Sequence, residues 1–312
     1  MMRHWFGQLV SIAITLFLVL SLVFVGMRLL PGDAANMRAG IDASESQVDA
    51  IRDALGLADT WAAQFGKYWR DLAQGNLGTS LREQRPVVRI VLERLPVTAQ
   101  LAAFALGLTL ILGIGLGLIS GLNPASILER IVLTITTIGL TLPGFWLGFL
   151  LLLAFAVQRD WFPLLGFDAG AGLGERLHAL TLPALTLAVP NAAQLARLTR
   201  AELLDARAAD FVRTARSKGL GRLAVVRHIA ANALPNVLPL VALTLGGLLT
   251  GTIIVEQVFG LPGLGVAMLG AIAARDYPVV QGITVVTVIV YIAVNALADV
   301  LQVLTDPRLR YG

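Results

Sequence analysis

The side chains that could do chemistry in this sequence are mostly cations, gathered between two apolar runs. Residues 197–227 carry eight arginine or lysine side chains against three carboxylates. Within them, the heptapeptide Arg213-Thr-Ala-Arg-Ser-Lys-Gly219 predicts the end of a short helix that a glycine terminates. Such a segment is either the docking site of a separate, energy-supplying protein or a basic loop that only fixes membrane topology.

The sequence lacks the motifs of common catalytic and nucleotide-binding sites. Its only Gly-Lys pair, Gly66-Lys67, precedes Tyr68, so no phosphate-binding loop ending in Lys-Ser or Lys-Thr exists. Neither His-Glu-x-x-His nor Gly-x-Ser-x-Gly occurs, cysteine is absent, and the three histidines are scattered. We therefore expect no enzymatic activity, no bound metal and no cofactor on this chain.

Composition places the chain in a membrane. Its 312 residues have a mean hydropathy of +0.77 and only 14% charged side chains, whereas about a quarter are charged in soluble domains. The formal net charge of +4 does not indicate nucleic acid, because the cations lie where membrane topology requires them. The sequence predicts an all-α polytopic membrane protein.

Six uncharged runs are long enough to cross a bilayer, which takes roughly 20 residues. The predicted spans are residues 9–25, 97–128, 131–158, 177–196, 229–255 and 278–298. In the second span, Gly113, Gly117 and Gly121 should let a neighbouring helix approach closely, and Pro143-Gly144 should bend the third span. Glycine and proline interrupt residues 257–274, which we expect to form a re-entrant or surface segment.

The cations predict the orientation. If the first run is an uncleaved span with Arg28 at its far end, twelve cations fall on the side of the N-terminus and three in the opposite short loops. By the positive-inside rule, both termini are cytoplasmic.

The only long polar segment is predicted to lie outside the cytoplasm and to be helical. Ser44-x-x-Gln47 is a capping box, Thr60 begins an aromatic-rich amphipathic helix, and Pro86 begins a third helix toward Leu95. These helices rest on the membrane, receive a soluble partner, or pack against the spans. The predicted organisation is a first span (1–30), an extracytoplasmic helical segment (31–96), and a five-helix core (97–312) with its basic loop at 197–228.

Short motifs occur in a fixed order along nearly the whole chain. The basic segment contains Arg197-Leu-Thr-Arg-Ala-Glu202, Asp210-Phe-Val-Arg-Thr-Ala-Arg-Ser-Lys-Gly219 and Arg227-His-Ile-Ala-Ala-Asn-Ala-Leu-Pro235. The others are Leu29-Leu-Pro-Gly-Asp33, Gly75-Asn-Leu-Gly-Thr-Ser80, Glu93-Arg-Leu-Pro96, Pro143-Gly-Phe-Trp-Leu-Gly148, Leu182-Pro-Ala-Leu-Thr-Leu187, Glu256-Gln-Val-Phe-Gly-Leu-Pro-Gly-Leu-Gly265 and Asp306-Pro-Arg-Leu-Arg-Tyr311. In these motifs the chain resembles the permeases of ABC importers, most closely the dipeptide and oligopeptide permease B type of the peptide/nickel branch.

The resemblance implies a type I ABC importer permease fold and a set of partners. These are a second, homologous permease, two cytoplasmic ATPases that bind ATP and magnesium, and an extracytoplasmic substrate-binding protein. The resemblance places the chain itself in a bacterial inner membrane. It also implies a coupling helix that docks the ATPase, carried here by Phe211, Arg213, Thr214, Ala215, Arg216, Ser217, Lys218 and Gly219. The general signature of such loops is Glu-Ala-Ala, then Gly, then Ile-x-Leu-Pro. Here Arg213-Thr-Ala215 stands in place of Glu-Ala-Ala, and Gly219 and Ile229 match. The Leu-Pro pair, Leu234-Pro235, falls three residues later than the signature places it.

Polar residues within the spans are candidates for the translocation pathway, although such residues also hold helices together. The candidates are Thr141, Asn191, Gln194, Thr244, Thr250 and Glu256. The Glu256 carboxylate could meet the amino terminus of a peptide, or it could cap the following loop.

The function expected from these observations is the permease subunit of an importer for short peptides, nickel, glutathione or another small solute. A secondary carrier is the main alternative, and it should show inverted repeats and ionisable residues within the membrane. Neither feature is convincing here. A scaffold protein without transport would not need the motifs of the basic segment.

Overall fold

A computed structural model describes residues 2–29, 32, 34–39 and 43–305. The predicted motif at 29–33 lies only partly within these ranges, and the one at 306–311 lies outside them. The described chain is built of α-helices, and its one β-contact is an isolated bridge between Thr79 and Pro86.

The helices follow the chain in order. Their bounds are α1 Met2–Leu29, α2 Ala34–Ala39, α3 Glu45–Ala54, α4 Trp61–Ala73, α5 Val87–Leu122, α6 Ile127–Thr141, α7 Gly144–Leu151, α8 Leu173–Ala208, α9 Asp210–Ser217, α10 Arg222–Ala233, α11 Leu238–Phe259, α12 Leu264–Ala273 and α13 Tyr277–Thr305. A π-helical turn over Leu152–Val157 continues α7, and a 3₁₀ turn over Leu234–Val237 joins α10 to α11.

Five helical stretches in the described chain are long and apolar enough to cross a membrane on their own. They are Ile12–Leu29, Val87–Leu122, Leu173–Ala208, Arg222–Leu248 and Tyr277–Leu297. The predicted third span is a bent pair, because α6 and the α7 segment meet at 105°. The predicted bend at Pro143-Gly144 is therefore confirmed. The expected interruption of segment 257–274 is present, because α11 ends at Phe259 and α12 begins at Leu264.

Two helices run further than the apolar pattern predicted. Helix α5 begins at Val87 and passes through Pro96, so the expected third polar-segment helix and the second span are one helix. The missing N–H of a proline removes a single backbone bond, which a long helix tolerates when its neighbours hold it. Helix α8 continues to Ala208 because Thr199 and Leu203 keep a buried face beyond the apolar run. The first third of the predicted basic loop is therefore helical.

The predicted helix starts in the polar segment are confirmed. At α3, the Gln47 backbone N–H donates to the Ser44 hydroxyl, and the Ser44 backbone N–H donates to the Gln47 side chain at 3.0 Å. At α4, the hydroxyl of Thr60 accepts from the backbone N–H of Ala63. These side chains satisfy backbone donors that a helix start leaves free.

The chain divides into two compact units, each formed from separate stretches of sequence. The first comprises Met1–Pro96 and Gly263–Ile292. In it the aromatic face of α4 packs on α1, where Phe17 stacks on Trp69 and Phe24 contacts Phe65. The Arg28 guanidinium lies over the Phe24 ring and donates to Gln64. Burial raises the pKa of Tyr68 on the same face of α4 to about 12.

A carboxylate organises the turn before α5 within this first unit. Asp276 is buried and accepts hydrogen bonds from the Ser80 hydroxyl and from the backbone N–H groups of Leu81 and Arg82. Ser80, the last residue of the predicted motif 75–80, is thus tied to the residue just before α13, 196 positions later in the chain.

The second unit comprises Val97–Pro262 and Ala293–Gly312, and its tightest packing joins α5 to α8. A Cβ atom added to Gly117 would lie 2.5 Å from the Cβ of Thr199 and 2.9 Å from the backbone oxygen of Ala196. Gly113 and Gly121 meet Leu195 and Leu203 almost as closely. The predicted role of these glycines in close helix approach is confirmed.

Candidate functional site

The candidate site is the α9 segment, residues 209–220, which lies between α8 and α10. Ala209 adopts an extended conformation and separates the end of α8 from the first residue of α9, Asp210. Asp210 lies in the first turn and Arg216 in the last, an arrangement that complements the helix dipole. The Arg213 guanidinium is 3.8 Å from the Asp210 carboxylate, and both side chains are exposed, so this pair adds little stability.

The predicted glycine stop is confirmed in detail. Gly219 has φ +76°, and its N–H donates to the carbonyl of Arg216 at 2.9 Å. The N–H of Leu220 donates to the carbonyl of Ala215 at 3.2 Å. These two bonds form a Schellman motif, which ends a helix and reverses the chain where glycine accepts a left-handed conformation. The geometry fixes the length of α9 and directs the chain back toward α10.

The buried side of α9 is centred on Val212. The side chain of Val212 is 2% exposed, whereas that of its neighbour Phe211 is 36% exposed. Val212 packs in a cluster with Leu203 of α8 and with aliphatic residues of α10, and Ala215 and Leu220 lie against that cluster. The spacing of three between Val212 and Ala215 was the available signal, because residues i and i+3 share a helix face.

The remaining side chains of α9 face outward. Arg213, Thr214, Arg216, Ser217 and Lys218 are all exposed, as is Gly219. The structure therefore brings the eight predicted coupling residues into one short segment, seven of them on its accessible surface. A protein with carboxylates or backbone carbonyls on its own surface could contact these donors without disturbing the buried side.

Two polar contacts that the sequence pattern did not predict hold α8, the helix that precedes the α9 segment. Glu129, at the start of α6, is buried and accepts from the guanidinium of Arg200 on α8, with an Nε–Oε1 distance of 2.9 Å. Arg207 donates to the carbonyl of Leu122, the last residue of α5, at 3.2 Å. These arginines link α8 to the ends of two neighbouring helices. A charge count of the basic segment cannot separate such structural arginines from those available to a partner.

Most of the predicted pathway residues bond their own helix. The side chains of Thr141, Asn191, Thr244 and Thr250 donate to carbonyls three or four residues earlier, at 2.7–3.3 Å. Gln194 is exposed, Asn191 is half-buried, and Thr244 is buried. These bonds leave the oxygens of the side chains free to accept further hydrogen bonds.

Glu256 is completely buried, near the end of α11. Its Oε1 accepts a hydrogen bond from the hydroxyl of Thr98 at 2.6 Å. Its backbone carbonyl accepts from Leu261 at 2.9 Å across the turn at Gly260, where φ is +61°. The backbone of Glu256 thus terminates the helix, and its carboxylate faces α5.

Among the described residues, no three histidine, aspartate or glutamate side chains come together as a metal site.

Two family profiles match the chain and together cover almost all of it. Residues 1–102 match the N-terminal region of binding-protein-dependent transport system membrane components. Residues 113–311 match the family described as binding-protein-dependent transport system inner membrane component. The second match includes the α9 segment and the helices on which it packs.

Similar proteins extend over the full length. One from Brucella abortus (strain 2308), provisionally named a peptide transport system permease protein, is 39% identical over 97% of both chains. The glutathione transport system permease protein GsiC of Pectobacterium atrosepticum is 36% identical over 100% of both. A chain of the MetNI methionine ABC transporter, solved in an inward-facing conformation, superposes with a TM-score of 0.58 at 18% identity, covering 70% of this chain and 97% of that one. At that identity the likeness shows the fold.

Proposed function

Because the chain belongs to the family of inner-membrane components of binding-protein-dependent transport systems, we propose that it forms half of the translocation pathway for short peptides. It is a multi-pass membrane protein and a permease subunit of an ABC importer, a class that works with an ATPase and a binding protein. We place it in a bacterial cytoplasmic membrane, with the α9 segment on the cytoplasmic side. The excess of cations around that segment supports this orientation.

The names of the full-length relatives support a peptide as the solute. One relative carries a provisional peptide-permease name and another is a glutathione permease, and glutathione is itself a tripeptide. A pathway for such solutes needs hydrogen-bond acceptors and donors rather than a metal cage. Thr141, Asn191, Gln194, Thr244, Thr250 and Glu256 remain the residues that we assign to it.

The assembly that we propose contains a second, homologous permease, two ATPases and one extracytoplasmic binding protein. ATP and magnesium are bound by the ATPases. In this arrangement the present chain performs no chemistry of its own, in keeping with the absence of a phosphate-binding loop from its sequence.

The observation that carries the coupling role is the two-sided construction of α9. Val212 anchors one side in a cluster with α8 and α10, while Arg213, Ser217 and Lys218 are exposed. A partner that grips the exposed side moves α9 together with the helices to which it is packed. Closure of the ATPases would thus displace α9 and the helices packed against it as one rigid body, and so move the membrane spans.

Reconstituted transport tests the proposal. The chain is assembled in liposomes with its ATPases, its partner permease and its binding protein, and uptake of a radiolabelled dipeptide is measured with and without internal ATP. We expect ATP-dependent uptake that an ATPase variant unable to hydrolyse ATP abolishes, with unlabelled glutathione and nickel added as competitors to define the solute. Uptake by this chain alone, driven by a proton or sodium gradient, would establish a secondary carrier and refute the proposal.

A further inference from the structure

A cavity of about 350 Å³ lies beside the α9 segment within the second unit. Its charged lining consists of Arg207, Arg216 and Arg222, one each from α8, α9 and α10. Aliphatic side chains form the rest of the lining, among them Leu122, Leu220 and Val225. No carboxylate lines the cavity, so it combines three positive charges with an apolar wall.

The acidic residues of the neighbourhood are engaged elsewhere or point away. Glu129 pairs with Arg200, Glu202 accepts from Asn236 at 2.7 Å, and Asp210 faces Arg213. Asp205 is exposed and does not line the cavity. In the described chain, Arg207, Arg216 and Arg222 have no carboxylate partner within 4.0 Å. One guanidinium nitrogen of Arg207 donates to the backbone carbonyl of Leu122, a bond that holds the side chain at the cavity without neutralising its charge. Three such cations in one cavity repel each other unless an anion joins them.

The position of the cavity indicates which anion. Leu122 ends α5, a helix long and apolar enough to cross a membrane, and a second such stretch begins at Arg222. With both stretches crossing the membrane in the orientation proposed above, the cavity lies at the cytoplasmic membrane surface. Next to Arg222, the side chain of Leu223 is 83% exposed, as expected of a residue that contacts lipid. The first turn of α10 also has no side-chain cap, so its backbone N–H groups remain available to a phosphate.

We propose that this cavity binds the phosphate of an anionic phospholipid from the surrounding leaflet. Arg207, Arg216 and Arg222 contact the phosphate oxygens, and the acyl chains follow the aliphatic wall toward the bilayer. A carboxylate from a soluble partner would satisfy the guanidinium groups but leave the aliphatic wall uncovered, whereas a lipid satisfies both. The lipid would join α8, α9 and α10 at the base of the coupling helix.

Lipid retention by the purified full chain tests this proposal. The chain is reconstituted in nanodiscs of phosphatidylcholine with a minor fraction of phosphatidylglycerol, and retained lipid is counted by native mass spectrometry. The cavity variant carries Arg207→Gln, Arg216→Gln and Arg222→Gln. Its matched control carries Arg130→Gln, Arg197→Gln and Arg227→Gln, which remove the same charge from exposed positions outside the cavity. Thermal unfolding establishes that each variant is folded, and the single variant Arg222→Gln replaces the triple if the latter does not fold.

We expect the wild type and the control to retain one phosphatidylglycerol per chain. The cavity variant should lose its preference over phosphatidylcholine by about tenfold or more, because it lacks the direct charge-assisted hydrogen bonds to the phosphate. Equal losses in both triple variants would reduce the effect to net charge and overturn the proposal. So would equally effective occupation by inorganic phosphate in phosphatidylcholine discs. Loss of the lipid when the ATPases assemble on the chain would assign the cavity to protein docking instead.

Discussion

The α5–α8 seam and the α9 segment are connected by one helix, yet they are built in opposite ways. In the seam, Gly113, Gly117 and Gly121 bring two helices so close that a single added methyl group would clash. In the α9 segment, one valine is buried and the charged side chains stand in solvent. The seam therefore depends on close steric fit between two helices, whereas the α9 segment combines one buried side chain with an accessible charged surface.

This difference explains how a short helix could control much longer ones. An isolated helix of eight residues is marginal in water, so α9 depends on the helix end at Gly219 and on the packing of Val212. The helices beneath it are held by close contacts that do not yield. On the proposed coupling mechanism, a displacement applied to α9 would be passed on to α8 rather than absorbed within the seam. Each prediction below tests one side of this contrast.

The largest effect is expected in the seam. Gly117→Leu places a side chain where the Cβ alone would meet Thr199 at 2.5 Å and a backbone oxygen at 2.9 Å. Overpacking costs about 1–3 kcal/mol where side chains can adjust, and a backbone oxygen cannot. We expect loss of most folded protein, measured by size-exclusion chromatography of the solubilised chain. Gly115→Leu is the control, because its Cβ would meet nothing within 4 Å; equal yields for the two variants would contradict the close seam.

The next effect is expected at the end of α9. Gly219→Val places a β-branched residue at φ +76°, which costs about 1–2 kcal/mol and opens the Schellman motif. We expect ATP-driven uptake to fall about tenfold or more, while the permeases and ATPases still assemble. Gly221→Val is the control, because Gly221 has φ −63° and open space around it. Unchanged uptake with Gly219→Val would show that coupling does not depend on the way α9 ends at Gly219.

A smaller effect is expected where the two regions meet. Glu129→Gln removes the buried charge that the half-buried Arg200 guanidinium of α8 faces, and leaving a partly buried cation without its partner destabilises the fold. We expect a lower melting temperature than for the wild type. Adding Arg200→Gln to Glu129→Gln should restore part of the lost melting temperature. The control is Arg130→Gln, which changes the exposed residue next to Glu129 and should leave the melting temperature unchanged. A drop in melting temperature for the double variant that exceeds the sum of the drops for Glu129→Gln and Arg200→Gln alone would argue against a direct pair.

The smallest effects should separate the two sides of α9. Val212→Ala deletes two buried methyl groups, worth about 1–2 kcal/mol, and should lower the melting temperature. Phe211→Ala changes a partly exposed side chain and should leave melting nearly unchanged. Uptake should nevertheless fall with Phe211→Ala if that ring touches the ATPase. A lower melting temperature for Phe211→Ala than for Val212→Ala would contradict the assignment of Val212 to the buried side and Phe211 to the accessible side.

The sequence predicted these regions unequally, for physical reasons. The seam was predictable because glycines four apart mark one face of a helix, and the end of α9 because glycine alone readily accepts its backbone angle. The extent of α5 and α8 was not, since hydropathy cannot reveal that packing carries a helix through Pro96 or past Ala196. The ion pair of Glu129 with Arg200, 71 positions apart, depends on tertiary contacts that no local pattern encodes. The burial of Val212 likewise depends on its contacts with α8 and α10, which lie outside the local pattern of α9.

The most direct test of the account asks whether an ATPase covers the outward face of α9. The chain contains no cysteine, so Arg213→Cys gives a single site for maleimide labelling, at a position whose side chain is 84% exposed. Labelling rates are compared in the chain alone and in the complex with ATPases, with Arg227→Cys as the exposed reference outside α9. We predict fast labelling of position 213 in the chain alone and strong protection in the complex, with position 227 labelled in both. Equal labelling of position 213 with and without ATPases would contradict the coupling role of α9.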